Sequence, residues 1–246
     1  GDLTRNDKTK QQWAGGPITG DNTGVEYFGT VFALAESPLK AGVIWSGSDD
    51  GLVQVTKDAG ATWTNVTANM PKFTDFATVS LIEASPFDAG TAYVVVEAHR
   101  LDDMKPYLFK TTDYGKSWKT LSTSMKQDVY LHAVREDPRK RGMLYVGTER
   151  GVIFSRDDGA TWEPLKLNFP TVAVSDLRVQ GNDLVLATMG RSIWILDNLT
   201  SLREWKPETK AADAHLFSVA PATRWRYSGN FHDYGAKGQN PPAEAM

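Results

Sequence analysis

The chain has 246 residues, of which 41% are hydrophobic and 23% are charged, with a formal net charge of −3 and no Cys. This composition supports a sizeable core and excludes global disorder, and the acidic balance gives no electrostatic footprint for nucleic acid. The absence of Cys excludes disulfides, thiolate metal sites and a thiol nucleophile, and no apolar run reaches the roughly 18–20 residues of a membrane span.

From about residue 30 onward, short apolar runs alternate with turn residues. The first stretch predicts strands at about 30–35, 43–47, 51–55 and 62–67, because these runs are rich in Val, Ile, Tyr, Trp and Thr and are bounded by Gly, Pro and Asp. The same succession follows twice more, and a fourth stretch, DLVLATMGRSIWILDN at 183–198, keeps a strand pair. Helical periodicity is limited to a short turn expected near 201–205.

Each of the first three stretches contains an eight-residue box with the pattern [Ser/Thr]-x-Asp-x-Gly-x-[Thr/Ser]-Trp, which lies between its third and fourth strands. The three copies are TKDAGATW at 56–63, TTDYGKSW at 111–118 and SRDDGATW at 155–162. The fourth stretch has lost the Gly and the Trp. A period of roughly 40–50 residues with four strands per unit is typical of β-propeller blades.

We therefore expect an all-β fold, a β-propeller of four-stranded antiparallel blades. Four blades are predicted over 26–205, at about 26–75, 76–128, 129–170 and 171–205. Residues 1–25 are expected to hold the end of a preceding blade and a connector, and 206–246 an extended tail with Pro, Gly and aromatic residues that leads to a downstream domain. Four is the lowest blade number of known propellers. Either these blades close on themselves or further blades complete the ring, and the second alternative is favoured.

The residue types of the box predict a structural turn between the third and fourth strands. The Gly suits a positive φ, the Asp accepts turn N–H groups and the following hydroxyl, and the Trp is expected to pack between sheets. The residues with these structural roles are Asp58, Gly60, Thr62 and Trp63; Asp113, Gly115, Ser117 and Trp118; and Asp157, Gly159, Thr161 and Trp162.

The boxes resemble Asp-box (BNR) repeats, which occur in sialidases, xyloglucanase-type glycosidases and sortilin-type propellers. Longer stretches, such as SPLKAGVIWSGSDDGLVQVTKDAGATWTNV, are similar to large secreted bacterial proteins described as BNR-repeat or sortilin-like glycosyl hydrolases. The resemblance implies a secreted, periplasmic or cell-surface protein of which this chain is a fragment, with the remaining blades, or another chain of the assembly, as partners. The resemblance is weak evidence for hydrolase activity in this chain, because the repeat on which it rests is structural.

Function is expected on the face opposite the boxes. With the strands of a blade lettered A to D in chain order, the boxes are C–D connections, and the B–C loops emerge on the other side. Weak catalytic candidates are Asp49, Asp50 and Glu149, since paired carboxylates hydrolyse glycosidic bonds. Candidates for a binding face are Asp49, Asp50, Glu97, His99, Arg100, Asp102, Asp103, Glu149, Arg150 and Arg191. The alternative is that these loops are ordinary polar turns and solvated charges.

The sequence contains no recognisable motif for a metal or cofactor site. The four His residues lack any zinc-binding spacing, so no metal site and no cofactor are expected. Calcium at Asp49, Asp102 and Asp103 remains an open alternative without a recognisable motif. Arg135, Arg150, Arg178 and Arg191 show no sign of a sialidase-type arginine triad and are expected in salt bridges.

Two functions follow, and the first is favoured because every strong motif is structural. The first is a non-catalytic propeller segment that serves as a scaffold or binds polypeptide or glycan within a larger secreted protein. The second is part of a secreted sialidase- or xyloglucanase-like glycoside hydrolase. Two carboxylates from different B–C loops, within about 10 Å in a concave aromatic-lined cleft, would favour the hydrolase. Neither a nucleic-acid partner nor a membrane span is expected.

Overall fold

A computed structural model describes residues 1–10 and 28–219 of the chain. Its strands form four antiparallel sheets, which we call blades 1 to 4. Blade 1 contains β1 Val31–Glu36, β2 Ile44–Ser48, β3 Val53–Thr56 and β4 Thr64–Asn65; blade 2 contains β5 Thr78–Ala84, β6 Ala92–Glu97, β7 Tyr107–Thr111 and β8 Lys119–Thr120; blade 3 contains β9 Leu131–Glu136, β10 Leu144–Thr148, β11 Gly151–Ser155 and β12 Glu163–Pro164; blade 4 contains β13 Val174–Gln180, β14 Asp183–Thr188 and β15 Ile193–Leu196.

Helices are few and short in the described part of the chain. Two 3-10 turns, Thr67–Asn69 and His99–Leu101, lie in loops, and two helices follow blade 4, α1 Thr200–Glu204 and α2 Pro207–Ala211. The helical turn expected near 201–205 corresponds to α1. Helix α2 lies where an extended tail was expected, because Pro207 occupies a first-turn position at which its fixed φ favours a helix. None of the described helices has the length and apolar character to cross a membrane.

One other expectation differs from the structure. Blade 4 has three strands rather than four, because the chain leaves β15 and turns into α1 where the other blades form a box and a D strand. Residues 1–10 form no strand. The remainder of that segment, with Trp13, and the end of the tail, with Trp225, lie outside the described residues.

The blades pack face to face around their A strands. Strand β1 lies beside β5, β5 beside β9, and β9 beside β13, whereas no comparable contact joins β13 to β1. Separate apolar clusters fill the three junctions, with Trp45 and Phe109 between blades 1 and 2, Leu108 and Leu144 between blades 2 and 3, and Tyr145 and Leu184 between blades 3 and 4. Strands packed on both faces read as continuous apolar runs, which explains AYVVVE in β6.

The box folds into the same turn in all three copies. In the first, Asp58 Oδ1 accepts the Thr62 N–H at 2.8 Å and Oδ2 accepts the Thr62 hydroxyl at 2.5 Å. The Thr56 hydroxyl donates to Asp58 and accepts the Gly60 N–H. These bonds, led by that from Thr62, lower the pKa of Asp58 to about 2. The box glycines Gly60, Gly115 and Gly159 have φ values of 90°, 81° and 79°.

The box Trp residues are half-buried, and those of blades 2 and 3 contact the preceding blade. Trp118 packs edge-to-face on Trp45 of blade 1, with ring centroids 6.1 Å apart. Trp162 Nε1 donates a hydrogen bond of 2.9 Å to the Leu121 carbonyl at the end of blade 2. Each of these two residues therefore fastens its own blade to the preceding one.

Candidate functional site

The loops of each blade divide between two faces. Backbone hydrogen bonds from Ala59 to Gly42, Tyr114 to Gly90 and Asp158 to Gly142 join each box to the A–B loop of its own blade. The B–C and D–A loops therefore emerge together on the opposite side, which we call the loop face. The binding candidates named from the sequence in blades 1 to 3 lie on this face.

Two of the weak catalytic candidates hold the backbone in place. Asp49 Oδ1 accepts the N–H groups of Gly29 and Thr30 at 2.9 and 2.8 Å. Burial raises the pKa of Asp49, and these hydrogen bonds oppose that shift. Asp50 is 1% exposed and accepts the Ser48 hydroxyl at 2.5 Å and the Arg5 N–H at 2.7 Å. Both carboxylates are thus occupied by hydrogen bonds from this chain.

The remaining candidates do not assemble around a common point. Asp103 accepts the hydroxyls of Thr74 and Tyr107 at 2.5 and 2.7 Å, whereas Arg100, Asp102 and Arg191 are exposed. Neither the groove nor the cavity described below is lined by Arg100, Asp102, Asp103 or Arg191. Within residues 1–10 and 28–219, no group of three or more His, Asp or Glu side chains is arranged to hold a metal ion.

A cluster of ionisable and aromatic side chains joins blades 2 and 3 on the loop face. His132 Nε2 lies 3.0 Å from Glu149 Oε2, and His132 Nδ1 lies 3.7 Å from Glu97 Oε2. His99 Nδ1 contacts Glu97, and its ring stacks on Tyr130 with centroids 4.5 Å apart and planes 12° from parallel. Tyr130 also meets the His132 ring edge-on at 5.1 Å. We call these five residues the His132 cluster.

A bulge in β9 positions His132. Leu131 pairs with Thr148 and Ala133 with Gly147, which leaves His132 as the extra residue. Corresponding irregularities occur at Phe32, Ser80 and Ser175 in the other A strands. Bulges re-aim side chains and are frequent beside functional sites. His132 and Tyr130 were not among the residues predicted from the sequence. The available signal was that, among the bulge positions of the four A strands, only this one carries an ionisable residue.

The electrostatics of the cluster favour a charged imidazole. Burial acts to lower the pKa of His132, whose side chain is 12% exposed, but hydrogen bonds and charge from Glu97 and Glu149 outweigh it and raise the pKa. Burial and then the Glu149 carboxylate raise the pKa of Tyr130, so its phenol stays protonated. The raised pKa favours the charged form of His132, whose ring lies between two carboxylates that belong to different blades.

This arrangement does not resemble a glycosidase pair. Glu97 and Glu149 do come from different loops and lie near each other, as the hydrolase alternative requires. However, the His132 ring fills the space between them, where a glycosidic bond or an attacking water would have to lie. The cluster links two blades through the contacts of His132 with both carboxylates.

A groove of about 570 Å³ lies beside the cluster, between residues 124–131 and 162–171. Val152, Ile153, Trp162 and Phe169 are among its apolar lining residues. Its cationic lining residues are Lys126, Arg150 and Lys166. Arg150, predicted as a binding residue, is thus the member of the candidate set that lines an open concave surface.

The N-terminal residues of the chain also contact the loop face, between blades 1 and 2. Besides its N–H bond to Asp50, Arg5 forms an ion pair of 2.7 Å with Asp75. The Arg5 guanidinium lies 4.3 Å from the ring centroid of Phe76, and Lys10 Nζ lies 4.7 Å from the same ring. Phe76 has a φ of 61°, which is uncommon for a bulky residue.

On the opposite face, the ends of the four A strands surround a cavity of about 460 Å³. Arg135, one of its lining residues, bonds to Glu83 and Asp176 at 2.9 Å each and to the Leu177 carbonyl. These bonds link blades 2, 3 and 4, so Arg135 has the salt-bridge role expected from the sequence. Arg178 lines the same cavity but joins no arginine triad in the described residues.

No family model and no curated protein matches the chain. Three similar solved structures are the GH74 xyloglucanase from Xanthomonas campestris (13% identity, TM-score 0.51), YCF48 from Cyanidioschyzon merolae (16%, 0.50) and the extracellular domain of a putative one-component system from B. thetaiotaomicron (12%, 0.52). The matches cover 67%, 68% and 72% of this chain but 29%, 53% and 23% of those proteins, so the chain spans about half of their length or less. At these identities the likeness shows the fold alone, and the chain is a β-propeller built of antiparallel blades.

Proposed function

We propose that the chain is a non-catalytic propeller segment whose loop face binds polypeptide within a larger secreted protein. The observation that carries this proposal is that the N-terminal segment of the chain itself, through Arg5, contacts that face. Arg5 contributes its main-chain N–H to Asp50 and its guanidinium to Asp75 and Phe76.

The contacts of Arg5 are those of polypeptide recognition. A main-chain N–H recurs at every residue except Pro, and a buried carboxylate that accepts it recognises the backbone rather than one side chain. The cation–π contact with Phe76 adds about 0.5–2 kcal/mol and selects a basic residue. A glycan offers neither a main-chain N–H nor a cation, which favours polypeptide over glycan.

The three carboxylates predicted as weak catalytic candidates are engaged within the chain. Asp49 and Asp50 accept hydrogen bonds from the chain, and Glu149 is engaged by His132. A nucleophile or general acid must reach the substrate directly. The geometry therefore supports binding more than hydrolysis.

The test uses the chain with Arg5→Ala, which removes the ion pair and the cation–π contact of the resident segment. A fluorescent peptide GDLTRNDKTK is titrated in and its polarisation is measured. We expect saturable binding that weakens at least about tenfold when the peptide Arg is replaced by Ala, since both side-chain contacts are lost.

The matched controls are Asp50→Ala and Asp197→Asn, each in the Arg5→Ala background. Asp50→Ala removes the carboxylate acceptor and is expected to abolish binding, whereas Asp197 is exposed and its substitution should change nothing. Release of reducing sugar from xyloglucan by the unmodified chain, lost in Glu149→Gln, would instead establish the hydrolase.

A further inference from the structure

We infer that the groove between blades 2 and 3 binds an acidic, apolar-containing segment of an extended polypeptide from a partner protein. This inference rests on the proposed function and names the partner chemistry of a second place on the loop face. The groove is separate from the Arg5 contacts, which lie between blades 1 and 2. Its volume of about 570 Å³ falls in the range of ligand-sized pockets.

The floor of the groove presents hydrocarbon rather than hydrogen-bonding groups. The indole N–H of Trp162 is already bonded to the Leu121 carbonyl, so the ring offers an apolar surface. Phe169 is held edge-to-face against Trp194, with centroids 5.3 Å apart and planes at 85°. A rigid aromatic floor gains binding energy from apolar side chains at low entropic cost.

Leu167 adds an apolar side chain that has no cover in the described structure. It is 69% exposed and has a φ of 34°. A bulky residue held in the left-handed region is uncommon, and such strain clusters at binding sites. Contact with a partner would remove this side chain from water.

The charges around the groove select an acidic partner. Three cations, Lys126, Arg150 and Lys166, line it. Asp128 lies 3.3 Å from Lys126 and 3.6 Å from Arg150, which compensates at most part of that charge, and Lys166 has no ion pair in the described residues. The excess of positive charge contrasts with the chain's net charge of −3. An acidic segment is attracted and a basic one is repelled.

The B–C turns of blades 1 and 3 carry opposite charges at equivalent positions. Asp50 and Arg150 occupy the same position of the B–C turn, each directly before the turn Gly. Asp50 accepts the main-chain N–H of Arg5, whereas blade 3 carries a cation at that position. The same position of the repeat therefore carries an acceptor for a main-chain N–H in blade 1 and a cation that lines the groove in blade 3.

The experiment measures polarisation of a labelled twelve-residue peptide that alternates Glu with Leu or Phe, at low and at high salt. The comparison peptide has every Glu replaced by Lys. We expect saturable binding of the acidic peptide, at least about tenfold weaker binding of the Lys peptide, and an affinity that falls as salt rises.

Two variants test the groove, each verified as folded by its thermal midpoint. Lys166→Glu reverses one cation, and Leu167→Asn removes the exposed hydrocarbon while tolerating the positive φ. Each is expected to weaken binding about fivefold to tenfold. Lys40→Glu, the matched charge reversal on the opposite face, should leave binding unchanged.

Three results would overturn the inference. They are equal binding of the two peptides, full binding by both groove variants, and equally tight binding of an oligothymidylate, which would show that charge alone is recognised. If the acidic peptide fails while GDLTRNDKTK binds the Arg5→Ala chain, the inference fails and the proposed function stands. If neither peptide binds, both fail.

Discussion

At the residue scale, the box Gly serves two purposes that differ between blades. A Cβ on Gly159 would lie 2.9 Å from Leu121 Cδ1, and one on Gly115 would lie 2.7 Å from Val66 Cβ, so these glycines allow the preceding blade to approach. At Gly60 the nearest atom is Trp63 Nε1 at 3.6 Å. All three share a positive φ, but the close approach is confined to the second and third boxes.

We predict that Gly159→Ala costs more stability than Gly60→Ala. Both substitutions place Ala at a positive φ, at about 1–2 kcal/mol, and only Gly159→Ala adds overpacking against Leu121, at about 1–3 kcal/mol. Urea unfolding measures both free energies. Equal losses in the two variants would refute a packing role for Gly159.

His132 leads to a prediction about pH. A His whose folded pKa is raised above its unfolded value stabilises the chain below the unfolded pKa, and that stability is lost as pH rises through the folded pKa. The free energy of unfolding should therefore fall as pH rises above about 6.5. His132→Gln should flatten this dependence and cost about 1–3 kcal/mol at pH 6. An unchanged pH profile would show that the bridge to Glu97 and Glu149 does not form.

At the element scale, the positions of the strands were predictable from the sequence, but the contacts that form the site between blades were not. The strands expected at 30–35 and 43–47 are observed at Val31–Glu36 and Ile44–Ser48, because β-branched and aromatic runs between turn residues specify them locally. Glu97, His99 and Glu149 were predicted on the loop face, but their convergence on His132 was not, since it depends on a bulge and on two blades meeting. The sequence likewise does not reveal that the Asp50 carboxylate is buried and accepts the Arg5 N–H.

The box Trp leads to a prediction about coupling between blades. Trp162→Phe keeps an aromatic ring but removes the hydrogen bond to the Leu121 carbonyl, at a cost of about 1–3 kcal/mol. Trp63→Phe is the matched control, because Trp63 Nε1 makes no hydrogen bond within residues 1–10 and 28–219. Thermal unfolding should show the larger decrease in midpoint for Trp162→Phe, and the reverse order would contradict this coupling.

At the scale of the whole molecule, four blades form an arc with two apolar outer faces. Phe32 and Leu34 of β1 and Ile193 and Ile195 of β15 are exposed, and β13 and β1 lack the contact that joins the other neighbouring A strands. Exposed apolar sheet faces of this kind usually mark interaction surfaces. The predicted arrangement, in which further blades or another chain complete the ring, accounts for both observations.

The function proposed for this molecule depends on its loop face, where Asp49 and Asp50 accept main-chain N–H groups and Glu149 contacts His132. The most direct test is the binding isotherm of the GDLTRNDKTK peptide on the Arg5→Ala chain. We expect saturable binding of the peptide, and loss of that binding when Asp50→Ala is added. A flat isotherm, together with xyloglucan hydrolysis that depends on Glu149, would contradict the proposed function.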